Sequence, residues 1–321
     1  MLKNLPDSKQ ALLPSGRAKR LLVTGGKGML GADLARHAAA SGWQVWAPGR
    51  DELDVRDRDA MAAAAQWVRG GVIAHCAALV NVEYCAQNPE IGEETIVGGT
   101  RNVIRLAKAA GAQVMYPQSF LVYGNTGSGD IGEDVEPAPL SRYGQFKLES
   151  EKLLVGELEA PLIVRMAGFF GGEQRDKNFV GRIIPHLEKA LLEGRRSFEI
   201  GDRIWQPTWT SDLALNTLLL LEREKSGMYQ MASHGEATFH AIGQVLVEEF
   251  GWARHLAITP VSAAAVEKDM SGSRPARAVL ACTRLRAEGL DRQRHWEASL
   301  REYLASPYFN AYRAVSDRVV A

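Results

Sequence analysis

From Arg20 to about Arg165 short apolar runs alternate with stretches of helical periodicity. The runs "LLVTGG", "WQVWAPG", "GVIAHCAA", "AQVMYPQS" and "PLIVRMAG" are strand-like, and helix-length segments separate most of them. That rhythm predicts right-handed βαβ units and a parallel, doubly wound α/β sheet. After Gly168 it breaks into smaller elements: a loop "GFFGGEQRDKNF", a helix near 180–193, a strand-like "SFEIGD", helices near 211–223 and 238–250, and a last helix near 296–304. Such a succession predicts a smaller C-terminal lobe closing over the strand ends, where ligands of open α/β sheets bind.

Composition removes some functions. With 38 Lys plus Arg against 38 Asp plus Glu among 321 residues, no long-range field recruits nucleic acid or an anionic membrane. Cys76, Cys85 and Cys282 form no metal-ligand spacing and cannot all pair with one another, so no metal is expected and a reducing, cytoplasmic setting is. No segment approaches the length of a membrane-spanning apolar run, and the opening residues read as a tail.

The stretch "RLLVTGGKGMLGADLARHAAASG" reads strand, glycine turn, helix. Gly25, Gly28 and Gly31 fall at T-G-x-x-G-x-x-G spacing, and Leu30, Leu34 and Ala38 follow on one helix face. Glycines there permit a tight turn and close backbone approach, and the helix start offers N–H groups to a pyrophosphate. A plain tight turn is the alternative. The next strand leads to Arg50, whose guanidinium suits the 2′-phosphate of NADP, although Asp51 stands beside it. NADP(H) is therefore expected ahead of NAD(H), with Asp54 and Val55 at the adenine edge.

The expected organisation is an N-terminal tail at 1–18, a Rossmann-type NAD(P)-binding domain at 19–167 to which 205–231 returns, a substrate lobe from 168–204 and 232–310, and a C-terminal tail at 311–321. Ser119 falls at the C-terminal edge of the sheet. In "PLSRYGQFKLESEKLL", capped by Ser141, Tyr143 and Lys147 stand four apart on one helix face and can converge on one cleft. A solvated amphipathic helix would account for the same pattern.

Taken in order, "TGGKGMLG", "HCAA", "SFLVYG", Tyr143 with Lys147 and "IVRMAGFFGG" resemble the extended short-chain dehydrogenase/reductase superfamily. "RDELDVRD", "KNFVGRI", "QPTWTSDLA" and "SRPARAVL" make the chain most similar to its dTDP-4-dehydrorhamnose reductase branch, over about residues 19–305. The resemblance implies that Ser119 polarises a carbonyl, Tyr143 carries the proton, and Lys147 binds the nicotinamide ribose and lowers the tyrosine pKa. It gives cofactor contact to Met29 and Leu30 beside the glycines and to Ala77 and Ala78, with His75 packing at the strand end. It gives substrate contact to Ser119, Phe120, Asn178, Phe179 and Arg274, with a helix cap and a surface charge as the plain alternatives for Asn178 and Arg274. A nucleotide sugar and a homodimer through about 99–111 and the Tyr143 helix are the implied partners. Val103, Leu106, Ala107 and Ala110 make an apolar face there that packing within the chain would use equally.

The chain also departs from the pattern. Ile96 stands where many extended members carry a water-holding Asn; Ser119-Phe120-Leu121 replaces Thr-Asp-Tyr; and Gly168 closes a segment that ends in Trp in the branch. Phe120 and Leu121 cannot supply the acid and base of a 4,6-dehydratase, and no Cys follows Ser119 closely as a 3,5-epimerase/reductase would require. The expected activity is reduction of a 4-keto nucleotide deoxysugar; a nucleotide-sugar 4-epimerase and a non-catalytic regulatory subunit are the alternatives. Trp205 and Trp209 are placed to stack on a base or sugar, or to pack in a core.

Overall fold

The structure, a computed structural model, describes residues 12–125, 127, 129–262, 265 and 274–315. Six strands, β1 (Arg20–Thr24), β2 (Gln44–Trp46), β3 (Val72–His75), β4 (Gln113–Ser119), β5 (Leu162–Met166) and β6 (Gly227–Met231), form one sheet in the order β6-β5-β4-β3-β1-β2. Every neighbouring pair is parallel. The order reverses between β1 and β3, which opens a crevice at the carboxyl ends of those strands.

The apolar runs are continuous because both faces of the sheet are covered. Leu21, Val23, Val72, Ala74, Leu162 and Val164 face a core shared with α1 (Met29–Ala40), to which Leu34 belongs. Leu22, Ile73 and Ile163, the residues between them, face the opposite core with α2 (Gly99–Ala110) and α3 (Arg142–Glu157), which contribute Val103, Leu106 and Leu154. Val103, Leu106, Ala107 and Ala110 thus spend their apolar face within the chain.

The lobe has its own core. α4 (Phe179–Leu192), α6 (Phe239–Glu249) and α7 (Trp296–Leu304) supply Leu187, Ile242 and Leu300, packed with Phe250 and Trp252. Between α4 and α6 the chain returns to the sheet through α5 (Thr210–Glu222) and β6. Residues 204–205 still pair within the lobe, so the return begins at Thr210 and not at 205.

Both expected tails are shorter than their sequence suggests. Residues 1–11 and 316–321 lie outside the described residues, but Leu13 is buried in the α1 core, and Leu12 bridges Ala18 across a turn. At the other end Val315 is buried, and the Tyr312 carbonyl accepts from the Trp252 indole at 3.1 Å. Leu13 and Ala18 at one end, and Phe309, Tyr312 and Val315 at the other, anchor these segments. No helix among the described residues is long and apolar enough to cross a membrane.

Candidate active site

At the phosphate end the main chain does the shaping. Gly25 takes φ +68°, and a Cβ there would stand 2.9 Å from the Ala77 backbone, so the turn and the strand end "HCAA" touch only because the position is glycine. A Cβ on Gly31 would meet the Gly25 carbonyl at 2.5 Å. Gly28 caps α1 with no side-chain hydrogen bond and no acidic residue in the first turn, which leaves the helix-start N–H groups for an anion. Met29 and Leu30 open that helix, and a Cβ on Gly172 of the lobe would lie 3.5 Å from Met29. This glycine-lined cradle at a bare helix start fits a dinucleotide pyrophosphate.

Past β2, the exposed Arg50 guanidinium lies 3.4 Å from Asp54, whose main partner is Arg56 at 2.6 Å. The Arg56 hydrogen bond holds the Asp54 carboxyl down to about 2. Sequence reasoning missed Lys27. Its methylenes pack where a Cβ on Gly49 would stand, and its ammonium pairs with Glu52 at 2.8 Å, so two cations flank the strand end. Val55 is buried, and its carbonyl accepts from Asn102 at 2.8 Å.

At the other end of the cleft the side chains converge. Ser119 closes β4 and accepts the Leu121 N–H at 3.2 Å, and it stands close enough to Tyr143 for its hydroxyl to favour the phenolate. Ser141 caps α3 through the Gly144 N–H at 3.1 Å. A Cβ on Gly144 would overlap the Leu121 carbonyl, so this glycine lets α3 settle on the turn after β4 and brings Tyr143 against Ser119. Phe120 packs on both Tyr143 and Ala167 clusters, forming an apolar wall beside the pair.

Lys147 is 3% exposed; its ammonium donates to the Pro117 carbonyl at 2.7 Å and stands 3.7 Å from the Tyr116 ring centre. Burial lowers its pKa to about 7. The expectation that Lys147 lowers the tyrosine is corrected here. The ammonium turns toward Pro117, and burial raises the Tyr143 phenol above its ordinary range, a shift that the nearby Ser119 hydroxyl opposes.

Beneath this group lies a network that the sequence reading did not single out. Gln118 donates to the Lys147 carbonyl at 2.9 Å and to Glu151 at 2.8 Å, and it accepts the Ser119 N–H at 2.8 Å. Glu151 pairs with the buried Arg165 at 2.5 Å, and Arg165 donates to the Tyr123 hydroxyl at 2.7 Å. A signal existed: Glu151 lies one turn beyond Lys147, and Arg165 interrupts the otherwise apolar strand "LIVRM".

The missing Asn of the relay also acquires a structural context. Residues Glu94–Gly98 form a π-helical turn, and the Ile96 carbonyl accepts from Thr100 at 2.7 Å and Ser150 at 3.2 Å. His75 is buried between Thr24 and Thr100, at 2.9 and 3.2 Å, and burial holds it neutral with a pKa lowered to about 3.

On the lobe side, Asn178 occupies the cap position of α4, but its side chain donates to the Phe169 carbonyl at 2.7 Å and does not cap. Phe179 stacks on Phe239 at 4.2 Å. Arg274, partly buried, reaches across to Glu83 at 2.7 Å, which sets aside its reading as a plain surface charge. Trp209 packs in the lobe core against Tyr303 at 6.1 Å, with the Arg294 guanidinium 5.5 Å from its ring. Among the described residues no cluster of three or more His, Cys, Asp or Glu is placed to hold a metal.

A doubly wound sheet with a pyrophosphate cradle at one end of the crevice and Ser119, Tyr143 and Lys147 at the other is the architecture of an extended short-chain dehydrogenase/reductase, an NAD(P)-dependent oxidoreductase. Within that class the chain belongs to the RmlD substrate binding domain family, whose model matches residues 19–308. It is 30% identical to a dTDP-4-dehydrorhamnose reductase of Streptomyces griseus, over 88% of this chain and 92% of that one. It is 29% identical to a dTDP-4-keto-6-deoxy-D-glucose reductase of Streptomyces niveus, over 91% and 98%. The fold is shared with dTDP-4-dehydrorhamnose reductase from Bacillus anthracis, solved in complex with NADP, with a TM-score of 0.80 at 22% identity, over 89% and 98% of the two chains.

Proposed function

We propose that the protein is an NADPH-dependent reductase of the 4-keto group of a nucleotide-activated deoxysugar, of the dTDP-4-dehydrorhamnose kind. The observation that carries the reading is the convergence of the buried Tyr143 on Ser119 at the carboxyl edge of β4, with Lys147 buried one helical turn away. The cradle of Gly25, Gly28 and Gly31 with Ala77 and Ala78 holds the dinucleotide, and Arg50 and Lys27 favour the 2′-phosphate of NADP over NAD. When bound, NADPH supplies the hydride that reaches the carbonyl carbon.

The chain's own residues manage the oxygen. Ser119, fixed by the Leu121 N–H, holds the carbonyl oxygen beside Tyr143. A phenol raised by burial keeps its proton at neutral pH, which suits a donor in the reductive direction. Lys147, one helical turn from Tyr143, is left to hold the nicotinamide ribose. Asn178, Phe179 and Arg274 line the approach of the nucleotide diphosphate, which competes with Glu83 for Arg274.

The test is a titration with NADPH and NADH, followed by nicotinamide absorbance after a dTDP-4-keto-6-deoxyhexose is added. Tyr143→Phe should lower kcat by about 10²–10⁴-fold with NADPH binding unchanged. Dinucleotide binding without turnover would sink the substrate assignment. Tightly retained NAD would favour the 4-epimerase.

A further inference from the structure

Trp205 ends the short strand Ile204–Trp205 of the lobe and is 7% exposed. Its ring stands edge-on to Phe239 at 5.4 Å and 88°, and Phe239 lies flat on Phe179. The nitrogen edge of the indole reaches the sheet. A Cβ on Gly168 would overlap Nε1, so the ring can lie there only because position 168 has no side chain. Gly168 stands two residues beyond Met166, the register partner of Ser119. The indole N–H therefore arrives at the carboxyl edge of β5, one strand over from Ser119. Among the described residues that N–H has no acceptor.

The N–H is also not among the enclosed unpartnered groups, so a ligand oxygen can reach it and accept from it. Beside it the half-buried rings of Phe239 and Phe179, which the Trp205 ring backs, offer an apolar surface suited to the C–H groups and methyl of a deoxysugar. We propose that Trp205 is a specificity-determining residue of the sugar pocket, donating its indole N–H to an oxygen of the substrate's pyranose while Phe239 and Phe179 pack against the sugar. The proposal rests on the sugar-nucleotide reading.

The test compares the affinity of the full chain, saturated with NADP⁺, for dTDP-rhamnose and for dTDP alone by calorimetry. The wild type should prefer dTDP-rhamnose. Trp205→Phe, which keeps a ring but loses the donor, should cut that preference about tenfold and leave dTDP and NADP⁺ binding unchanged. Gly168→Ala, which displaces the indole without altering it, should do the same and serves if the first variant does not fold. A preference that survives in either folded variant overturns the proposal, as does a wild type that binds both ligands equally. Loss of the reductase reading is distinguishable: it would appear as absent turnover of dTDP-4-keto sugars while the Trp205-dependent preference remained.

Discussion

At the phosphate end of the cleft the working surface is main chain: Gly25 and Gly31 are fixed by neighbours that leave no room for a Cβ, and the start of α1 carries the free N–H groups. At the nicotinamide end it is side chain: Ser119, Tyr143 and Lys147 stand on a buried scaffold of Gln118, Glu151, Arg165 and Tyr123. The first surface is shaped by close main-chain approaches, of Gly31 to Gly25 within the turn and of Gly25 to Ala77 at the next strand end, and it fails on an added carbon. The second is held by charges and hydrogen bonds between distant residues, so its weak points are partners that never touch a ligand.

The largest expected effect falls on that scaffold. Glu151→Ala leaves the Arg165 guanidinium buried without its carboxylate and should cost ~3–5 kcal/mol in chemical denaturation, while Glu151→Leu with Arg165→Met should recover most of it. A loss below 1 kcal/mol would mean that the two ends are not held differently after all.

Asp176 gives an intermediate effect. It ties the loop over the cradle by accepting the Gly171 and Asn178 N–H groups at 3.1 and 2.9 Å, yet burial pushes its carboxyl up from 3.8 to about 6. An acid raised by folding binds a proton that the unfolded chain has already lost. Stability should therefore fall as pH rises from about 4 to about 6, by ~3 kcal/mol, and Asp176→Asn should flatten that slope in pH-resolved unfolding. An unchanged slope would remove Asp176 from the account.

The smallest belongs to the main-chain end. Gly31→Ala should cost ~1–3 kcal/mol by overpacking against the Gly25 carbonyl and weaken dinucleotide binding. Single-turnover proton transfer at saturating cofactor should not change; if it slows as much as binding weakens, the two ends are not separable.

These differences explain what could be read from sequence. The cradle and the Tyr143/Lys147 spacing are local, so glycine periodicity and one helical turn sufficed. The buried network was not legible because Arg165 meets Tyr123 from 42 positions away and Gln230 meets it from 107. Trp205 meets Gly168 only through folding of the lobe onto the sheet. The expected Lys147 effect on Tyr143 failed for a similar reason, since the direction of a long side chain is set by Pro117 and Tyr116, not by its own helix. Leu13 shows the same limit at the N-terminus, where one apolar residue converts part of an expected tail into packed structure.

The path of the chain bears on how this molecule is made. β6 is laid against β5 only after α4 and the first lobe strands have left the ribosome, and Cys282 then reaches back to donate its N–H to Gln230 at 3.1 Å. Until β6 arrives, the nascent sheet ends in the wholly apolar edge of β5 apart from Arg165, a template for pairing with the wrong chain. No single cut yields an intact half: ending synthesis at Gly168 removes an edge strand from the sheet, and starting after it orphans that strand from the sheet it completes. The two bodies of the molecule are a unit of biosynthesis, interlaced in time as well as in space.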